Sequence, residues 1–323
     1  MKFSINMPGL MRFPPADYAS PGQNWEATID AADFQEVARV AERLGFDAIT
    51  VPEHMVLPPD LAEHMGGYWP DALTAMAFLA GATTDIRVRS GVMVLPYHPP
   101  IQLAKAVATL DVMSGGRVML NVGVGMARGE FEALGVPFTE RGRVTDEYAE
   151  ALKVLWTEPN PSYAGKYVAF SDVVFEPKPV QKPHPPLWFG GRSAPALRRA
   201  LRLGDGWSPD GAQSGKGPWL SRLEDLPAFV EEVATAARLE VPDDFEIAMP
   251  LELTLIGPDH ELLEANTDLS TPQAIIDRIG LLEQFGVAWT AVPPQIGAPM
   301  RSRAEFLEHL EWWATEIVAS LRR

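Results

Sequence analysis

The chain has 323 residues, a formal charge of −16, no cysteine, and a hydrophobic share of 46% that is ample for a large core. The missing thiols exclude disulfides, cysteine nucleophiles and cysteine-ligated zinc or iron–sulfur clusters, so redox chemistry has to come from a bound cofactor. The acidic balance repels phosphate backbones and argues against a nucleic-acid partner, and no apolar run approaches the roughly eighteen residues of a membrane span.

Met1 to Pro8 run straight into a strand pattern with no basic and apolar leader, so the expected location is the cytoplasm. From there strand-like runs alternate with helix-period segments to the end of the chain, the pattern of parallel βαβ construction. The predicted strands are Phe3–Met7, Asp47–Val51, Ile86–Val94, Arg117–Val122, Pro186–Gly190, Gly206–Pro209, Glu246–Ile256 and Ala288–Val292. The first helix carries Phe34, Val37, Ala38, Ala41 and Leu44 on one stripe and stops at Gly45; the third carries Leu103, Val107 and Leu110 and stops at Ser114-Gly115-Gly116. The seventh opens on Thr271-Pro272, and the last opens on Ser302 to Glu305 with Phe306, Leu310, Trp313, Ile317 and Leu321 on its apolar side.

Two insertions interrupt the alternation. Ser162–Pro185, between the fourth and fifth strands, alternates in Tyr167-Val168-Ala169-Phe170 and again in Val173-Val174-Phe175, which predicts a hairpin. Gly211–Pro218, after the sixth strand, reads as a loop over the mouth. Eight strand–helix pairs favour one closed (β/α)8 barrel, an α/β TIM barrel spanning residues 1–323 as a single domain, over an open doubly wound sheet. In a barrel the chemistry lies just past the strand ends.

Pro52-Glu53-His54 follows the second strand. A histidine there either moves a proton near neutral pH or is a hydrogen-bonded structural group, and its spacing to His64, His98 and His184 does not fit a metal site. Ser90-Gly91-Val92 places a glycine inside a β-branched run, the mark of a bulge or of a close approach by a ligand. Gly123-Val124-Gly125 offers small residues on which a planar ring can lie, although its spacing misses the dinucleotide fingerprint. Gly190-Gly191-Arg192-Ser193 opens a helix with Ser193 as N-cap, where exposed amides and the helix dipole favour an anion; a tight turn with nothing bound is the alternative. Lys216 lies in a glycine-rich loop that does not satisfy the P-loop pattern; it either meets an anionic group or is solvated. Glu130, one helical turn beyond Met126, reads as a solvated helix residue.

Taken in order, Ala41-Glu42-Arg43-Leu44-Gly45-Phe46-Asp47 leading to Pro52-Glu53-His54, Leu95 to Pro100, Leu110 to Arg117, Gly123-Val124-Gly125, Phe175 to Gln181, Gly190 to Ser193 and Gly204-Asp205-Gly206-Trp207 resemble the luciferase-like oxidoreductases, and within them the actinobacterial branch that uses coenzyme F420. The resemblance implies a luciferase-like barrel with a deazaflavin or flavin ring in its mouth, and a non-proline cis peptide at Gly91-Val92 against the ring. Carried over position by position, it implies a coenzyme site of Glu53, His54, Ser90, Gly91, Val92, Gly123, Gly125, Gly190, Gly191, Arg192 and Ser193, with His54 catalytic. The expected substrate wall is Trp69, Tyr97, Met126 and Trp207, with Lys216 beside it; loop aromatics that only cap the barrel are the alternative. A sugar-phosphate dehydrogenase of the family has a proton-donating glutamate directly after the glycine turn; Met126 stands there, so that acid is not carried over and a different substrate is expected.

The implied activity is hydride transfer between F420 and a small organic substrate. The alternatives are a two-component monooxygenase that takes reduced FMN from a reductase partner, and a non-catalytic flavin-binding protein. The family tendency implies a homodimer.

Overall fold

The computed structural model describes residues 1–11, 25–209, 223–251, 269–293 and 300–322, and in addition two short strands at Leu255–Ile256 and Leu262–Glu264. The barrel strands are β1 Lys2–Asn6, β2 Ala48–Val51, β3 Arg87–Ser90, β4 Val118–Gly123, β5 Leu187–Gly190, β6 Gly206–Ser208, β7 Glu246–Ile247 and β8 Trp289–Val292. They pair in parallel in the order β7-β6-β5-β4-β3-β2-β1-β8. A parallel bridge between Ala248 and Trp289, with the Met249 amide donating to the Trp289 carbonyl at 3.0 Å, joins β7 to β8 and completes the (β/α)8 barrel.

The helices are α1 Ala31–Arg43, α2 Pro59–Met65, α3 Ala72–Ala82, α4 Pro100–Ser114, α5 Arg128–Leu134, α6 Arg141–Thr157, α7 Ala194–Leu203, α8 Leu226–Ala237, α9 Pro272–Gln284 and α10 Arg303–Trp312. On α1 the expected stripe is used: Val37, Ala38 and Ala41 are buried, Phe34 and Leu44 pack at its edge, and Gly45 takes a left-handed φ of 80°. Thr271 and Ser302 cap α9 and α10 through bonds from the Ala274 and Glu305 amides.

Strand parity sorts side chains between two cores. Ala48, Met119, Trp188, Ala248 and Trp289 fill a small apolar layer inside the barrel, whereas Phe189 and its register partner Trp207 belong to the larger core under the helices. At the N-terminal end of the strands, polar groups saturate one another. Arg117 makes five hydrogen bonds, to Ser114 O, Thr83 Oγ1, Ile86 O, Ala80 O and Thr83 O. Asp47 accepts the Phe3 amide at 2.8 Å and Asp205 the Leu187 amide at 2.7 Å, each tying a strand to its neighbour.

Three expectations change in detail. The third strand is broken: it pauses at a cis peptide between Gly91 and Val92 and resumes as Met93–Val94 against β4. The hairpin of the first insertion pairs Tyr163–Ala164 with Ala169–Phe170, not with Val173 to Phe175. Its turn is held by Glu147, which accepts the amides of Lys166, Tyr167 and Val168, and Asp172 then turns the chain away with a left-handed φ of 53°. The regular ladder of β7 ends ahead of Pro250, which has no amide to donate. The Gly211–Pro218 loop lies outside the described residues.

Candidate active site

Beyond the ends of β2, β3, β4 and β5 the described mouth is built around the Gly91-Val92 turn. The Gly91 amide donates to the Val51 carbonyl at 2.7 Å, and a Cβ on Gly91 would collide with the Thr50 methyl. Val92 then projects across the mouth into space that two glycines vacate: a Cβ on Gly123 would stand 3.1 Å from Val92 Cγ2, and one on Gly190 would stand 2.8 Å from Val92 Cγ1. Gly123 and Gly190 are small because Val92 lies against them. Gly125, with φ 77°, is in turn crowded by Phe131 and Val94.

Where the ladder is interrupted, Ser90 replaces it. Its buried hydroxyl donates to the Asn121 carbonyl and accepts the Asn121 amide, both at 2.9 Å. Asn121 faces the barrel interior opposite Trp188, and its side-chain oxygen and nitrogen are buried without a partner, as is Thr50 Oγ1. Buried polar groups left unpaired in this way are uncommon and mark a place where water or a ligand completes the bonding.

Two carboxylates hold the loops beside this turn. Glu53 is 4% exposed; its Oε2 accepts the Val94 amide at 2.7 Å and its Oε1 meets His98 Nε2 at 2.9 Å. Glu130 is not the solvated helix residue expected from the sequence: it is fully buried, at 0% exposure. Its Oε1 accepts the Met55 and Val56 amides at 2.9 and 3.3 Å, and its Oε2 meets His54 Nδ1 at 2.8 Å and the Tyr97 hydroxyl at 3.2 Å. The short helix α5 turns its first turn inward under the loop after β2, a tertiary arrangement that a seven-residue helix does not advertise in its own periodicity. Burial first, and the neighbouring Glu130 carboxylate second, push the Tyr97 phenol far up, so it remains a hydrogen-bond donor.

His54 therefore has one ring nitrogen on Glu130, while Nε2 makes no hydrogen bond among the described residues. The ring stands edge-on to Trp69, centroids 4.6 Å apart, and Trp69 is fixed by its own bond to the Gly66 carbonyl at 2.8 Å. Met126 and Val56 are exposed nearby in sequence on the same loops, at 36% and 49%.

The remaining expected residues fall in three places. Tyr97 lies behind His54, buried against Phe131, and does not form an open wall. Trp207 is at 0% exposure on the outer face of β6, packed on Phe229, because it shares the parity of Phe189; its indole nitrogen donates to the Gly191 carbonyl at 2.8 Å. It supports the loop after β5 from outside and is removed from the substrate wall. In that loop the Gly191 amide donates to the Ser208 carbonyl at 3.2 Å, Arg192 Nε donates to the Pro209 carbonyl at 2.8 Å, and exposed Ser193 caps α7. Lys216 lies outside the described residues.

A model of the luciferase-like monooxygenase family matches residues 10–261, which carry the whole of this mouth from β2 to β6. The chain belongs to that family. Among luciferase-like proteins it is 34% identical over 210 residues to an FMNH2-dependent dimethylsulfone monooxygenase of Pseudomonas putida, covering 63% of this chain and 53% of that protein. It is 31% identical over 241 residues to an F420-dependent glucose-6-phosphate dehydrogenase of Microbacterium testaceum, covering 73% of this chain and 68% of that one. The chain thus spans about half the length of the first relative and two thirds of the second. In fold it matches the monooxygenase RslO1 of Streptomyces bottropensis with a TM-score of 0.74, at 21% identity over 99% of this chain and 100% of that one. The family thus includes oxidoreductases that work with F420 and others that work with reduced FMN.

Proposed function

We propose that this chain is an F420-dependent oxidoreductase that transfers a hydride between the deazaflavin and a small, largely apolar organic substrate seated beside His54. The observation that carries the reading is His54 itself, its ring edge-on to Trp69 and held at 2.8 Å by a buried carboxylate, with its second nitrogen unbonded among the described residues. A hydride exchanged at a carbon that bears oxygen is accompanied by a proton at that oxygen, and His54 Nε2 is the group placed to give or take it.

The described residues fit a flat ring and a phosphate. The Gly91-Val92 turn offers a backbone edge and one branched side chain as a platform, and the unpartnered Asn121 and Thr50 side chains lie just inside it. Because the Gly191 amide is already used by Ser208, Pro195 has no N–H and the Ala196 amide is bonded to Ser193, the phosphate donors are the Ser193 hydroxyl and the Ala194 amide, with the dipole of α7 behind them. When bound, the coenzyme supplies or accepts the hydride; the chain positions it, shields it from water and handles the proton.

The likeness to an FMNH2-dependent monooxygenase supports a second reading, oxygen insertion with reduced FMN delivered by a reductase. Titrating the purified protein with F420 and with FMN, followed by their visible spectra, separates the two. Saturable F420 binding, and oxidation of reduced F420 by members of a panel of small ketones and aldehydes, is the expected result. Binding of FMN alone, with oxygen uptake when a reductase is added, would replace the first reading by the second. In the F420-linked assay His54→Ala is expected to cut turnover about 10²-fold or more while coenzyme binding persists.

A further inference from the structure

We infer that Glu130 is the positioning residue of His54: it fixes the Nδ1–H tautomer, so that Nε2 is the atom that exchanges a proton at the mouth. Four donors converge on this one carboxylate. The Met55 and Val56 amides occupy Oε1, and the Tyr97 hydroxyl shares Oε2 with His54 Nδ1. An ionised carboxylate only accepts hydrogen bonds, so the imidazole nitrogen that faces it at 2.8 Å carries the hydrogen. In the neutral ring Nε2 then holds the lone pair. It takes the proton of an O–H or N–H group seated beside it, that bond's electron pair staying on the donor atom, and the resulting imidazolium returns the proton in the reverse step.

Glu130 does not serve as the acid itself: it is fully buried, and both oxygens are engaged. The other charged and polar neighbours do not replace it. Glu53 is committed to His98 and Val94, and Trp69 gives its indole hydrogen to Gly66. The residue is also bound to the loop it aligns, since the amides it accepts belong to the two residues that follow His54.

Glu130→Gln isolates the tautomer. Two amides donate to Oε1, so the glutamine keeps its carbonyl oxygen there, and its NH2 group falls where Oε2 stood, facing His54 Nδ1. Two donors then oppose each other, and the ring relieves the clash by moving its hydrogen to Nε2. Tyr97→Phe, by contrast, removes one donor and leaves the carboxylate, so the tautomer persists.

The test is a two-bond 1H–15N correlation spectrum of the imidazole rings in uniformly 15N-labelled chain at mildly alkaline pH without coenzyme, with His54 assigned by its loss in His54→Ala. The expected result is Nδ1–H in the wild type and in Tyr97→Phe, and Nε2–H in Glu130→Gln. In the F420-linked assay, Glu130→Gln should lose about 10²- to 10⁴-fold in kcat with KM little changed. A wild type in the Nε2–H form, or a Glu130→Gln chain with native circular dichroism that still shows Nδ1–H, overturns the inference. If Glu130→Gln does not fold, the wild type and Tyr97→Phe spectra decide it, and Nε2–H in either one refutes it. The mechanistic meaning rests on the proposed role of His54, but the tautomer is read on the chain alone, so failure to bind F420 or FMN would remove the proposed reaction without touching the spectra.

Discussion

The charged groups at the bottom of the barrel and the polar groups at its mouth are bonded in different ways. At the N-terminal end, Arg117 spends its guanidinium on five acceptors, and Asp47 and Asp205 each close a bond to the neighbouring strand. At the C-terminal end, His54 Nε2, Asn121 and Thr50 have no protein partner among the described residues. The bottom spends its charged side chains on the chain itself, although Trp289 Nε1 and Thr290 Oγ1 at the start of β8 are buried without a hydrogen-bond partner among the described residues, while the mouth beside His54 leaves polar atoms for something to fill. This is the division that barrel enzymes show between a stabilising bottom and a reactive top.

The sharpest way to break the contrast is to damage the bottom. Arg117→Ala leaves buried acceptors at Ala80, Thr83, Ile86 and Ser114 without their donor and should cost about 3 kcal/mol or more. Urea denaturation would show the loss, and below the transition the chain should still bind its coenzyme with the wild-type affinity.

A smaller and more local effect is expected at the mouth. Gly190→Ala drives a methyl to 2.8 Å from Val92 Cγ1, an overpacking that costs about 1–3 kcal/mol, and coenzyme affinity should fall at least about tenfold. Adding Val92→Ala should recover much of that affinity in a double-mutant cycle, because the two residues dispute one space.

The smallest effect is a pH dependence at the bottom. Burial would raise the Glu42 carboxyl, but the Asp85, Ile86 and Thr84 amides outweigh it and hold the group below the ordinary value of 4.5. A carboxyl lowered in the native state contributes stability above that value and loses it as pH falls through the native one. The gap in thermal stability between wild type and Glu42→Gln should thus be widest near neutrality and close in acid.

Much of the frame was legible in the sequence, because each barrel strand is a short apolar run bounded by a turn. Gly45, Gly115, Thr271 and Ser302 mark helix ends by local conformation and capping, which sequence carries directly. The glycines of the mouth were recognisable as unusual, although their reason was not: Gly123 and Gly190 make room for Val92, in the turn that breaks the third strand. Glu130 was misread because its partners come from residues 54 to 56 and 97, and no periodicity within α5 encodes that meeting. Trp207 was misassigned for a different reason. Parity with Phe189 along the paired strands puts it under the helices, so strand register, given the barrel, would have found it.

Val92 and its two glycines finally carry a meaning for how this mouth changes over descent or by design. Positions 123 and 190 sit on two strands and position 92 in the turn after a third, yet they enclose a single volume, so each is a poor target for substitution alone. Enlarging the chamber for a bulkier guest begins with trimming residue 92, and any widening at 123 or 190 has to be matched there in the same step.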